Sequence, residues 1–250
     1  MNQKAIDLGL KNTHFITPHG LDEEGHYTTA YELALIADYA LSIDKISEVV
    51  KTKTYTVTIN GDSKTINNTN ELLGYLNGVN GVKTGFTNGA GRCLVTSVER
   101  NGFNIITVVL GADTKKIRTQ DSIKLIEYIY SNYELVNLEE LINKEYNNWL
   151  EINKNRINIY KGKSSDVKVK LEEYKYKTYP VKKDAIKDIK VEIGNIQTHF
   201  EAPLYKNTQT ANLSVSIGES ELMNIKILIN ENIERLDIKD YIFKCLESII

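Results

Sequence analysis

The run Asn80-Gly81-Val82-Lys83-Thr84-Gly85-Phe86-Thr87 holds the residues whose types and spacing best suit chemistry. Lys-Thr-Gly is one of three short motifs used in serine acyl transfer, beside Ser-x-x-Lys and a Ser-x-Asn type element. Acyl transfer needs a nucleophile, a proton acceptor and donors that hold the developing oxyanion. The triplet offers only part of that set. Two stretches match Ser-x-x-Lys as text, Ser42-Ile43-Asp44-Lys45 and Ser165-Asp166-Val167-Lys168. Ser42 follows the end of a helix, whereas a nucleophile should open one, so that its lysine one turn on points back at it. Ser165 falls in a turn beside Gly162 and Ser164. Both read as surface residues. Taken alone, Lys83 and Arg118 read as solvated charges, and Gly81 and Gly85 as turn residues, because three-letter motifs recur by chance.

A second chemistry is offered by His14, His19 and His26 among Asp22, Glu23 and Glu24. Imidazole and carboxylate are metal ligands, but gaps of 5 and 7 residues match no standard spacing. The near-neutral net charge of -2, with no basic stripe, gives a nucleic-acid partner little support. Cys93 and Cys245 lie far apart and match no metal or redox pattern. No apolar run approaches the length of a membrane span.

The elements that must position the motif are legible in pattern. Residues 1–10 read as the last turns of a helix, with Ala5 and Leu8 apolar and Gly9 placed to end it in the left-handed conformation. Such a beginning suggests missing upstream residues. Residues 10–28 read as a polar loop. Thr29-Ala30-Tyr31-Glu32 reads as a capping box, followed by Leu33, Ile36, Ala37, Ala40 and Leu41 at helical spacing. Thr54–Ile59 alternates and ends at Asn60-Gly61, a strand and tight turn. Cys93–Arg100 and Phe103–Gly111 flank Asn101-Gly102, a strong hairpin signal. A helix is expected at about Lys115–Asn132, with Ile123, Ile126 and Tyr130 on one face.

The texture changes near residue 150, and the boundary is placed within Asn143–Arg156. Beyond it, Val167/Val169/Leu171, Tyr174/Tyr176, Leu213/Val215/Ile217 and Ile225/Ile227/Ile229 alternate as in a small all-β domain. In the tail, Ile238, Tyr241, Ile242, Cys245, Leu246, Ile249 and Ile250 share one helical stripe. A helix docked on its own domain and a helix lying on a membrane both fit. The docked reading is preferred because the polar face is not markedly basic.

Several segments together resemble the low-molecular-weight penicillin-binding proteins, the serine D-alanyl-D-alanine carboxypeptidases of bacterial cell walls. They run from Leu8-Gly9-Leu10-Lys11-Asn12-Thr13-His14-Phe15 through Pro18-His19-Gly20-Leu21-Asp22 to Gly25-His26-Tyr27-Thr28-Thr29-Ala30. Gly81–Thr87, Gly91-x-Cys93-Leu94-Val95 and Val108-Val109-Leu110-Gly111-Ala112 follow in the same order and spacing. The resemblance covers nearly all the chain. It implies an α/β (α+β) partial transpeptidase/β-lactamase-like domain over residues 1–145, a β-sandwich-like domain over 155–235 and an amphipathic tail helix over 236–250.

By that resemblance, Lys83 lines the cleft on an edge strand and supplies positive potential. Thr84 hydrogen-bonds the substrate carboxylate. Gly85, without a Cβ, lets the substrate backbone pair with the strand. The Phe86 amide is an oxyanion donor, and Thr87 lines the same edge. Phe86 is a mild departure, since some members carry histidine there. Arg118 matches an arginine whose guanidinium fork suits a terminal carboxylate.

In the family, Ser-x-x-Lys and Ser-x-Asn lie upstream of the segment matching Met1, so the chain is expected to lack them and to be inactive alone. Tyr75-Leu76-Asn77 resembles a tyrosine variant of the second motif but stands too close to Lys83. The expected reaction of the full-length protein is removal of the terminal D-alanine from peptidoglycan pentapeptides, without a cofactor. β-Lactams would bind if the missing part were present, and location would be extracytoplasmic. The alternatives are a non-catalytic cell-wall binding fragment and a β-lactamase. The β-rich extension argues against the latter.

Overall fold

The computed structural model describes residues 1–153, 156–164 and 167–247, with the backbone alone for 243–247. Chain contacts separate two compact units, Met1–Ser131 and Asn132–Ile250. The division falls earlier in the chain than the Asn143–Arg156 stretch.

In the first unit, helix α1 (Asn2–Asp7) ends as its sequence suggests, with Gly9 at φ +73°. Its Asn2 side chain pins the following loop, exchanging hydrogen bonds of 2.8 and 2.7 Å with the Phe15 carbonyl and amide. Helix α2 (Ala30–Leu41) starts at Thr29, whose hydroxyl accepts from the Glu32 amide at 3.2 Å. The expected capping box is only half made. Instead of reaching back to Thr29, Glu32 is buried, at 5% exposure, and its carboxylate gathers the loop ahead of the helix. It accepts from the Lys11 and Asn12 amides at 2.9 Å and from the Thr13 hydroxyl at 2.5 Å. A loop of orphan amides competes successfully for a carboxylate that the helix end could otherwise use.

Helix α3 (Asp44–Val50) leads to a hairpin of β1 (Thr54–Ile59) and β2 (Asp62–Asn67), turned by Asn60 and Gly61 at φ +54° and +92°. The main sheet has the order β3-β4-β5, from β3 (Val79–Thr87), β4 (Gly91–Arg100) and β5 (Phe103–Ala112), with Asn101 and Gly102 turning the last hairpin at φ +52° and +77°. Helix α4 (Lys115–Asn132) lays Ile123, Ile126 and Tyr130 against Leu72, Leu94 and Val98, the face its spacing predicts. A bidentate Arg100–Glu127 contact, at 3.2 and 2.7 Å, ties β4 to this helix. It holds the Glu127 carboxyl below its ordinary value.

The second unit opens with β6 (Tyr133–Asn137) and helix α5 (Leu138–Asn153). This helix ends before the β-rich stretch begins at residue 155, and no pattern in the sequence announces it. Leu138 and Ile142 are buried against Leu213, Val215 and Ile225, while Trp149 packs with Ile157, Phe200 and Ile227. The apolar positions 138, 142 and 149 recur at helical spacing, but the polar Asn143–Glu145 and Asn147-Asn148 between them mask the stripe.

Next come β7 (Asn158–Tyr160), β8 (Val169–Leu171), β9 (Thr178–Lys182), a 3-10 turn (Lys183–Asp188), β10 (Ile189–Gly194), β11 (His199–Glu201), β12 (Gln209–Ile217) and β13 (Ser220–Ile229). The sheet β10-β12-β13-β8 is antiparallel, with β6-β9 and β7-β11 as separate pairs. Ala211, Leu213 and Val215 face inward at alternate positions of β12, as do Met223, Ile225, Ile227 and Ile229 of β13. Tyr174 and Tyr176 lie outside any strand, though both pack on this core.

Helix α6 (Ile238–Glu247) carries the tail stripe. Ile238, Tyr241 and Ile242 are exposed. The side chains of Cys245, Leu246, Ile249 and Ile250 lie outside the described residues. Among the described residues no helix is long and apolar enough to cross a membrane.

Candidate functional site

Strand β3 is the sheet's edge: β4 pairs one side of it, and among the described residues no strand pairs the other. Its outer backbone groups therefore lack a strand partner, the condition for adding an extended chain. The pleat places Lys83, Gly85 and Thr87 on one face and Val82, Thr84 and Phe86 on the other. Gly85 is not demanded by its own surroundings. Its φ is not left-handed, and an added Cβ would stand at an ordinary 3.5 Å from the Cys93 Cβ. What the absent side chain leaves is an open outer surface.

The Lys83 ammonium donates to the Thr84 carbonyl at 2.6 Å. The Thr84 hydroxyl lies 2.6 Å from that of Thr69. Phe86 is exposed, with the Arg92 guanidinium 3.4 Å above its ring, as their direct opposition across β3 and β4 requires. Thr87 accepts from the Ala90 amide at 2.9 Å and so closes the β3–β4 turn. At this end of β3 a cavity of about 530 Å³ is lined by Asp22, His26, Leu33, Thr87, Cys93 and Leu110. Arg118 is only 3% exposed, with its Nη2 3.5 Å from the Glu71 carboxylate.

Sequence reasoning missed the segment that organises these groups, Asn68-Thr69-Asn70-Glu71. Asn68 donates to the Val50 and Thr52 carbonyls at 3.2 and 3.1 Å and accepts from the Asn70 amide at 3.0 Å. Asn70 is buried. It donates to the Gly81 carbonyl at 2.9 Å and accepts from the Leu72 amide at 3.1 Å. Thr69 then meets Thr84, and Glu71 meets Arg118 and the Thr119 hydroxyl. The one available signal was the cluster of asparagines directly before the apolar Leu72-Leu73, too polar to be read as anything but loop.

The other candidates disperse. Ser42 donates to the Tyr39 carbonyl at 2.7 Å, and Lys45 pairs with Glu48 at 3.7 Å. Ser165 lies outside the described residues. Tyr75 is exposed, and the Asn77 carbonyl accepts from Arg100. His14 contacts the Gly25 carbonyl, His19 accepts from the Leu21 amide, His26 packs edge-on to Phe15, and Asp22 accepts from the Gly89 amide. Among the described residues no three His, Cys, Asp or Glu side chains converge as a metal site.

Residues 1–114 match the profile of D-alanyl-D-alanine carboxypeptidase, and residues 150–235 match that of the C-terminal domain of penicillin-binding protein 5. The two profiles together take in most of the chain, and both point to the D-alanyl-D-alanine carboxypeptidase family. Within that family the chain is 42% identical over 135 residues to the carboxypeptidase DacF of Bacillus subtilis, covering 54% of this chain and 35% of the relative. It is 30% identical over 233 residues to DacA of Escherichia coli, covering 93% of this chain and 55% of the relative. The chain thus spans about half the length of the curated carboxypeptidases it matches, or less. Penicillin-binding protein 5 of Haemophilus influenzae shares the fold, with a TM-score of 0.67, 24% identity, and coverage of 94% of this chain and 64% of that one.

Proposed function

We propose that this chain forms the substrate-binding edge and β-rich extension of a serine-type D-alanyl-D-alanine carboxypeptidase. The full-length reaction is removal of the terminal D-alanine from peptidoglycan stem peptides through a serine acyl-enzyme. The observation that carries this reading is the open edge of β3, where Lys83, Thr84 and an internally unneeded Gly85 stand in succession. Residues 1–145 belong to the catalytic domain and 155–235 to the β-rich domain in this reading. Work is done outside the cytoplasmic membrane, as the chemistry of a cell-wall substrate requires. The exposed Ile238, Tyr241 and Ile242 of α6 support peripheral contact with that membrane.

Acylation is assigned to a serine that these residues do not supply. Among the described residues no serine is hydrogen-bonded to Lys83, whose ammonium turns to the Thr84 carbonyl. That contact also favours a second reading, in which the chain by itself binds peptidoglycan without hydrolysing it. The purified 250-residue chain is expected to bind peptides ending in D-Ala-D-Ala and to remain unlabelled by fluorescent penicillin. Covalent labelling would overturn the inactive state, and binding unaffected by Thr84→Val and Lys83→Ala together would overturn the edge as the site.

A further inference from the structure

Arg118 presents an imbalance. Its guanidinium is almost wholly buried, yet Nε and Nη2 have no hydrogen-bond partner among the described residues. Among the described residues the one carboxylate in ion-pair reach is Glu71, at 3.5 Å from Nη2, well beyond the roughly 2.7–2.9 Å of a good charge-assisted bond. The same Glu71 oxygen is held at 2.9 Å by the Thr119 hydroxyl, and the Glu71 side chain is half exposed. Arg118 therefore has charge compensation while Nε and Nη2 stay unbonded, behind a half-exposed carboxylate that only Thr119 and the guanidinium itself hold among the described residues. A buried cation with open donors favours any anion able to fill them. Two residues before Glu71, Thr69 meets Thr84 on the edge strand, so the Arg118 pocket and the β3 edge share one short strap.

We propose that Glu71 is a built-in occupant of Arg118 that an incoming carboxylate displaces, so that Glu71 sets how tightly this edge takes a peptide C-terminus. The inference rests on the carboxypeptidase reading for the identity of that carboxylate. Displacement exchanges one carboxylate for another on the guanidinium, so the charge of the pocket is conserved. Glu71 is a positioning and specificity residue rather than a catalytic one.

The test uses the whole 250-residue chain and three probes: N-acetyl-D-Ala-D-Ala, its C-terminal amide, and N-acetyl-L-Ala-L-Ala. Binding is followed by NMR on the Arg118 Nε–H resonance. Glu71→Gln is expected to tighten binding of the free acid about three- to tenfold, the scale of one partly exposed ion pair, and to leave the amide unchanged. In the unmutated chain, the Glu71 carboxylate carbon should shift on saturation with the acid and not with the amide. That measurement holds even if Glu71→Gln does not fold. Equal or weaker binding by Glu71→Gln, no binding by either protein, or a Glu71 resonance that stays still would each overturn the proposal. If Glu71→Gln tightens D- and L-peptides alike, the displacement stands and the carboxypeptidase reading loses its support. If the D-peptide alone binds, without regard to Glu71, the reverse holds.

Discussion

Glu32 and Asn70 are buried polar residues whose value lies in what they satisfy. Burial alone would raise the Glu32 carboxyl, but hydrogen bonds from Thr13, Asn12 and Lys11 outweigh it and hold the group below its ordinary value. A carboxyl depressed in the folded state stabilises the fold above its unfolded pKa and loses that contribution as pH falls through the folded one. Glu32→Gln should therefore lower the melting temperature at neutral pH, with the difference from the parent shrinking as acid protonates Glu32. Thermal melts of both proteins across that range check it. Asn70→Ala leaves the Gly81 carbonyl and the Leu72 amide without their partner, at a cost of about 1–3 kcal/mol, read from denaturant unfolding. The same change should weaken peptide binding, because Gly81 stands two residues before Lys83 in β3.

At the scale of elements, β3 is aligned by its entry turn and by the sheet behind it. Gly78 sits at φ +82° just before the strand, and a Cβ there would come within 2.3 Å of the Glu99 carbonyl oxygen of β4. No flexible side chain can yield at that contact, since the obstacle is backbone. Gly78→Ala should cost more than the roughly 1 kcal/mol of an unfavourable φ alone. It should also disturb the β3–β4 amide resonances first. Ile126 of α4 is fully buried among Leu72, Leu94 and Val98. Truncation to alanine leaves a cavity behind the sheet, with an expected loss of about 2–5 kcal/mol by denaturant titration followed by circular dichroism.

At the scale of the whole molecule, the buried apolar clusters divide between two contact units, one around Ile126 in the first and two, around Trp149 and around Leu138, in the second. The chain's one tryptophan, Trp149, is buried in the second unit. Its fluorescence therefore reports the unit Asn132–Ile250. Ile227→Ala, which empties a neighbouring position in the same cluster, should lower the midpoint of the tryptophan transition by the equivalent of about 2–5 kcal/mol. An unchanged tryptophan midpoint would show that the cluster does not hold Trp149 in place.

What the sequence by itself determined is what neighbours in the chain decide. Hairpins at Asn60-Gly61 and Asn101-Gly102 follow from φ > 0 in those residues, and the bounds of α4 from its apolar period, whereas the edge position of Lys83-Thr84-Gly85 follows from the strand order. Helix α5 was hidden because its apolar stripe is interrupted by polar residues, and only packing against β12 and β13 shows it to be core. The partner of Glu32, the asparagine strap behind β3 and the pairing of Arg118 with Glu71 were decided by the tertiary structure alone. These contacts join residues 11 to 47 positions apart. A side chain's hydrogen-bond partner depends on which distant backbone arrives beside it, and no local pattern encodes that arrival.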